Sequence, residues 1–344
     1  MPTLSEVRTE AHLVQTLSRP YPEDVAAARE LEGDLIVLGA GGKMGPTLVR
    51  RIVLAVREAG GANRIFAASR FTDPGSRREI EDAGALAIGV DLLDDGALLE
   101  LPDCPNVVYL AGMKFGASGR LPLTWAMNAY LPGRIADHYR DARIVALSTG
   151  NVYPQVPVAS NGASEDVAPE PVGEYAQSCL GRERIFQHFS ERNGTPVCLI
   201  RLNYAVEARY GVLLDIAQKV ASGTPVSLET ACVNAIWQGD ANSAVFRALE
   251  LCSSPAAILN VTGPEVLRVR DLAERFAARF NVDARFQGTE RPTALLNDAS
   301  RSHARLGAPK VTVDEVVELV SSWVQQGGTT HGKPTKFEVR NGRF

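Results

Sequence analysis

Leu35-Ile36-Val37-Leu38-Gly39-Ala40-Gly41-Gly42-Lys43-Met44-Gly45 decides the fold of this 344-residue chain. Four apolar residues make a run of strand length, and Gly39, Gly42 and Gly45 follow at intervals of three. An amphipathic stretch of helix length, Met44–Glu58, comes next. A strand, a glycine turn and a helix in that order are the context of a dinucleotide fingerprint. The turn requires positive φ, a Cβ would obstruct a pyrophosphate, and the amides at the helix start solvate phosphate charge.

Outward from this stretch the same beat continues. Short apolar runs at Arg64–Ala68, Ala85–Val90, Val107–Leu110, Ile144–Leu147 and Val197–Arg201 alternate with helical patterns near Arg77–Ala83, Leu123–Tyr139 and Glu174–Arg192. Alternation of this kind predicts βαβ units, and hence an α/β fold with a Rossmann-type doubly wound parallel sheet. Beyond Arg201 the helices at Gly211–Ala221, Ala241–Cys252, Arg270–Phe280 and Val313–Val324 are separated by proline- and glycine-bearing loops. The expected division is a helical N-terminal extension (1–33) packed on the outside, a nucleotide-binding domain (34–202), a smaller C-terminal substrate lobe (mainly 203–325), and a polar tail (326–344) that is solvated or packed on a partner.

Composition narrows the function. The net charge is −4, and the 36 Lys and Arg residues form no basic block, which argues against nucleic acid or an anionic membrane as partner. Five cysteines, odd in number and without a CxxC pair, suit reduced thiols better than disulfides or a metal site. No apolar run reaches the ~20 residues of a membrane span, and the first thirty residues hold no run of signal-peptide length. A cytoplasmic protein is expected.

The second strand closes with Ala67-Ala68-Ser69-Arg70, where an NAD-specific site would place a carboxylate against the adenosine ribose. Serine and arginine suit a 2′-phosphate, and Lys43 adds charge on the same side. NADP is therefore favoured over NAD.

With these residues in view, the chain resembles the extended short-chain dehydrogenase/reductase group, the NAD(P)-dependent sugar epimerase and dehydratase family, from about residue 34 to 325. Asp91-Leu92 is similar to the pair that touches adenine. Leu110-Ala111-Gly112-Met113-Lys114 resembles the segment lining the cofactor after the fourth strand, and Asn128 matches a helix asparagine usual in the group. Leu147-Ser148-Thr149-Gly150-Asn151-Val152-Tyr153 resembles the strand-end motif with the catalytic hydroxyl, which implies that role for Thr149. Tyr175-Ala176-Gln177-Ser178-Cys179 is similar to the YxxSK segment, with Glu183 as its following glutamate. Gln238-Gly239-Asp240, Asn260-Val261-Thr262-Gly263-Pro264 and Leu306-Gly307 match later landmarks.

The resemblance implies hydride transfer between nicotinamide and a carbon bearing a hydroxyl, with Tyr175 exchanging the hydroxyl proton and Thr149 binding the reacting oxygen. At position 179, however, the family's lysine is replaced by cysteine, and no other YxxxK occurs. A free tyrosine is only ~0.1% phenolate at pH 7, and a neutral thiol lends no positive charge. Lys114, Arg182 and the oxidised nicotinamide ring are the candidates to replace the lost cation. A neutral tyrosine still donates a proton, so carbonyl reduction is expected to suffer less than alcohol oxidation.

On the substrate side, the nucleotide-sugar members' arginine, seven residues before the aspartate matched by Asp240, is here Val233. The loop Glu229–Asn234 carries no cation, and Asn203 falls one place short of the usual RxxN spacing. These departures favour a free sugar, sugar acid or lactone over a nucleotide sugar, with Asn151 and Asn203 as candidate substrate contacts. The alternative is a catalytically silent NADP-binding sensor or partner protein. The resemblance also implies a homodimer formed through the helices at Leu123–Tyr139 and Glu174–Arg192.

Overall fold

The computed structural model describes residues 4–114 and 119–342. A seven-stranded, wholly parallel sheet forms its centre. The strands are β1 (Leu35–Leu38), β2 (Ile65–Ser69), β3 (Leu86–Gly89), β4 (Asn106–Tyr109), β5 (Arg143–Thr149), β6 (Val197–Leu202) and β7 (Ala257–Val261). Their order across the sheet is β3-β2-β1-β4-β5-β6-β7. All four residues of β1 are fully buried, Leu35 and Val37 on one face, Ile36 and Leu38 on the other. A strand covered on both faces can be apolar throughout.

Helices α1 (Glu10–Ser18) and α2 (Pro22–Arg29) precede β1, and α3 (Gly45–Ala59) follows it. Next come α4 (Pro74–Ala83), α5 (Asp95–Leu99) and α6 (Leu121–Trp125), then a π-helical turn, Ala126–Tyr130, and α7 (Leu131–His138). The long α8 (Gly173–Asn193) crosses from β5 to β6. The second lobe is built on α9 (Val212–Ala221), α11 (Val269–Phe280) and α13 (Val313–Gln325), with α10 (Gln238–Arg247) and α12 (Ser300–Leu306) between them.

Three expectations change. β7 and α10 fall within the stretch read as second lobe yet return to the sheet: β7 pairs with β6 in parallel, and Val245 and Phe246 of α10 pack in the same core as Leu35 and Val37. The N-terminal extension is not an outer layer, since Leu13 and Leu17 are fully buried in the second lobe's core and Asp24 forms a buried ion pair with Arg51 at 2.6 Å. The tail is solvated only in part: most of residues 326–334 are exposed, but from Thr335 to Arg340 it is docked. Phe337 is buried in the second lobe, the Thr335 backbone N–H donates to Asp215, Lys219 pairs with Glu338, and Arg340 donates to the carbonyls of Glu229 and Thr293.

Candidate active site

In-register parallel pairing brings the carboxyl ends of β1, β2, β4 and β5 to one edge of the sheet. The chain order reverses between β1 and β4, and at that crevice lies a cavity of about 420 Å³. Gly39, Gly42, Lys43, Ser69, Arg70, Asp91, Leu92, Leu110, Ala111, Gly112 and Lys114 all line it. Gly39 has φ +86° and lies so close to Ala111 that a Cβ would collide with its backbone. Gly45, expected at the ligand, is instead a packing glycine: a Cβ there would strike the Ala40 carbonyl. Met44 lines the neighbouring cavity instead. Arg70 stands at the rim, its side chain 60% exposed and 4.0 Å from Asp91.

A second cavity of about 250 Å³ shares Lys43, Leu110, Gly112 and Lys114 with the first, and holds Thr149 and Tyr175 in its wall. β5 delivers Thr149 and α8 delivers Tyr175. The Thr149 hydroxyl donates to the Tyr175 oxygen, and the phenol donates to the Cys179 thiol. Asn151 holds the pair from the other side, its Nδ2 donating to Thr149 Oγ1 at 2.9 Å.

Burial, then Cys179, pushes the Tyr175 phenol well above its ordinary value, while Arg182 and the Thr149 hydrogen bond oppose this. Cys179 is fully buried, and burial raises its thiol as well. Tyr175 is therefore a phenol and Cys179 a thiol near neutral pH. Lys114 lies with its Nζ 5.7 Å from the Tyr175 ring centre, and burial pulls it down to about 8. Burial, with help from Lys114 and Lys333, pulls Lys43 down to about 6, where it sits over the Tyr210 ring.

Several expected ligand contacts serve other ends. Asn128 is fully buried behind the cavity wall. It accepts from the Met113 N–H and from Arg182, and donates to the Met113 carbonyl and Ser178; it braces the segment after β4 instead of facing a cofactor. Asn203 lines the second cavity, but its Nδ2 is directed to Asn234 at 2.9 Å. Asp240 lies apart from both cavities and accepts from Tyr21. Val233 is buried in a two-residue strand paired with Leu267–Arg268.

Beneath the site runs a buried polar chain whose members the sequence placed in separate motifs without linking them. Ser148 donates to Glu183, Arg201 pairs with Glu183 at 2.7 Å and donates to the Tyr153 hydroxyl, and Tyr153 donates to Asn260. Arg201 ends an apolar run, which is the available signal that a buried charge needs a partner. The tail also reaches the site unannounced: Lys333 lines the first cavity and Thr335 the second. Arg340 supplies the loop at Glu229–Asn234 with the cation that the loop itself lacks, donating to the Glu229 carbonyl at 3.0 Å. Thr335 and Phe337 are buried, and Phe337 is the one large apolar residue between 326 and 338 that could have signalled docking in the sequence.

The cradle fits a dinucleotide: glycines where backbone must approach, lysines facing the crevice, and a polar rim at the second strand. A family model described as NAD dependent epimerase/dehydratase family matches residues 35–228. The UDP-glucuronic acid 4-epimerase of Bacillus cereus in complex with NAD is similar at a TM-score of 0.71 and 19% identity, covering 85% of this chain and 99% of that one. UDP-glucose 4-epimerase of Thermus thermophilus, complexed with NAD, gives 0.68 and 21%, covering 85% and 99%. The dTDP-glucose 4,6-dehydratase of Streptomyces venezuelae with NAD bound gives 0.71 and 18%, covering 85% and 97%. No curated protein matches the chain by sequence at a significant level. At these identities the structural likeness establishes a common fold; the family model spans more than half of the residues, and the chain belongs to the NAD dependent epimerase/dehydratase family.

Proposed function

We propose that the protein is a nicotinamide-dependent oxidoreductase or epimerase acting on a hydroxyl or carbonyl carbon of a small carbohydrate. The observation that carries this reading is the hydrogen-bonded Thr149–Tyr175 pair, facing a cavity that shares four wall residues with the glycine-loop cavity. A bound nicotinamide supplies hydride exchange. Gly39 and Gly42 let it approach, Lys43 and Lys114 face its phosphates, and Ser69 and Arg70 at the adenosine rim favour NADP. Thr149 holds the reacting oxygen, and Tyr175, being protonated, gives its proton to a carbonyl oxygen.

The structural neighbours named above act on nucleotide sugars, but three features support a smaller substrate here. Val233 stands where an arginine is usual, and Arg340 has its donors committed to Glu229 and Thr293. Phe337, Val339 and Arg340 of the tail, with Tyr204 and Leu295, also leave only about 40 Å³ in the recess beyond Asn151. A free sugar, sugar acid or lactone fits the 250 Å³ chamber at Tyr175.

The test is a panel of free sugars, sugar acids, lactones, UDP-sugars and dTDP-glucose, each with NADP(H) and NAD(H). Nicotinamide absorbance is followed together with chromatography for epimerised product. Turnover of a small carbohydrate, lost in Tyr175→Phe, is expected. Turnover of nucleotide sugars alone would remove the substrate assignment. Binding of NADP(H) with no turnover at all would favour the silent sensor, the reading that Cys179 supports.

A further inference from the structure

Arg182 lies seven residues after Tyr175 and three after Cys179, so α8 carries all three on one face. Its side chain is 6% exposed and lines the reaction cavity with Tyr175 and Thr149. Nη1 donates to the Leu147 carbonyl at 2.6 Å and Nη2 to Asn128 Oδ1 at 2.8 Å, both neutral acceptors. Nε has no hydrogen-bond partner among the described residues. No carboxylate of the described residues forms an ion pair with it, because the adjacent Glu183 is held by Arg201. A buried guanidinium with no direct ion pair, Glu183 acting on it only through its field, beside a reactive phenol, is electrostatically incomplete. Gly112 belongs to this arrangement, since a Cβ there would collide with the guanidinium.

We propose that Arg182 is the positioning residue that replaces the lysine missing at 179: the fixed positive charge of the site has moved about one helical turn along α8 and holds the Tyr175 phenolate. The proposal rests on the hydride-transfer reading above. When a substrate carbonyl carbon takes a hydride from the reduced cofactor, its oxygen takes the Tyr175 proton. The O–H electron pair stays on Tyr175, and the resulting anion is the direct counter-charge that Arg182 lacks. In the opposite direction the phenolate takes the hydroxyl proton as the hydride leaves carbon.

Two other cations, Lys114 and Lys43, face the same cavity. Both are pulled down by burial, to about 8 and about 6, so Lys43 is mostly neutral near pH 7, and Lys114, still largely charged there, loses its charge above 8, before a phenol ionises. A guanidinium stays charged, and Arg182 is the cation that opposes burial and Cys179 in setting the phenol.

The experiment places an acidified fluorotyrosine at position 175 and titrates it by absorbance, without turnover, in the full chain. Arg182→Gln keeps a donor toward the Leu147 carbonyl but loses the charge, and should lower the phenolate fraction at fixed pH about tenfold or more, equivalent to one pK unit. Arg182→Lys should stay near the parent, and Cys179→Lys in the Arg182→Gln background should restore the phenolate. An unchanged titration in Arg182→Gln overturns the proposal. Lys114→Met leaves α8 untouched and gives a second reading should Arg182→Gln not fold: no change is expected, and a fall comparable to that predicted for Arg182→Gln assigns the role to Lys114 and overturns it. Because the titration needs no substrate, an inactive protein can still pass it and an active one can fail it.

Discussion

In the function proposed above, Arg70 and the half-buried lysines Lys43 and Lys114 select the cofactor. Arg70→Ala should weaken NADP binding about tenfold while leaving NAD within twofold, since a charge-assisted hydrogen bond is worth about 1.5–3 kcal/mol; parallel fluorescence titrations with the two reduced cofactors read this. The lysines give a pH signature. In that proposal their cationic forms face the cofactor phosphates, and they lose protons at about 6 for Lys43 and about 8 for Lys114. Cofactor affinity should therefore fall as pH rises through 8, and calorimetry in buffers of different ionisation enthalpy should show proton uptake on binding below it. In the unfolded chain Lys43 keeps its proton to the ordinary 10.5, so between about 6 and that value the unfolded state binds more protons and this group's contribution to stability rises with pH. Glu183→Gln leaves Arg201 buried without its carboxylate and should cost about 3–5 kcal/mol, read by denaturant unfolding. At this scale the sequence was legible in placement: Thr149, Tyr175 and Gly39 line the cavities to which their motifs assign them. It was not legible at Asn128 or Asn203, because the same amide can face a ligand or brace a wall, and only its neighbours decide.

Elements were readable to the extent that their packing is periodic. β1 matches its predicted bounds because it is covered on both faces and bounded by Asp34 and Gly39, and α8 differs by a residue at each end. The helix expected over Leu123–Tyr139 is divided by the π-helical turn at Ala126–Tyr130, which a 3.6-residue pattern does not reveal. β7 went unread because a five-residue run distant in the chain shows its place only when β6 is there to pair with it. The tail went unread for a related reason: one phenylalanine and a few hydrogen bonds dock it, too little apolar surface to mark it in sequence. Its removal after Gln325 should raise turnover or binding of bulkier sugars while lowering the melting temperature. Phe337→Ala should cost up to about 3 kcal/mol and expose residues 326–342 to limited proteolysis; a tail as resistant as the parent's would show that Phe337 does not anchor it.

The whole molecule presents one face with a surplus of apolar groups. Leu121, Trp125, Tyr130 and Val172 are all exposed, on or beside α6, the π-helical turn and α8. A homodimer through this face is expected, and Tyr130→Glu should shift sedimentation from dimer toward monomer without altering the melting temperature of the isolated subunit. No described helix is long and apolar enough to cross a membrane. The architecture followed from the glycine turn and the βαβ rhythm, since both are local; the roof over the site did not, since it comes from the far end of the chain. That roof carries Lys333 at the cofactor cavity and Thr335 at the reaction cavity. One strip of backbone thus belongs to two chambers, and any displacement of it changes both walls at once. Under the reading proposed above, the residence times of the two ligands would then be coupled through this one strip.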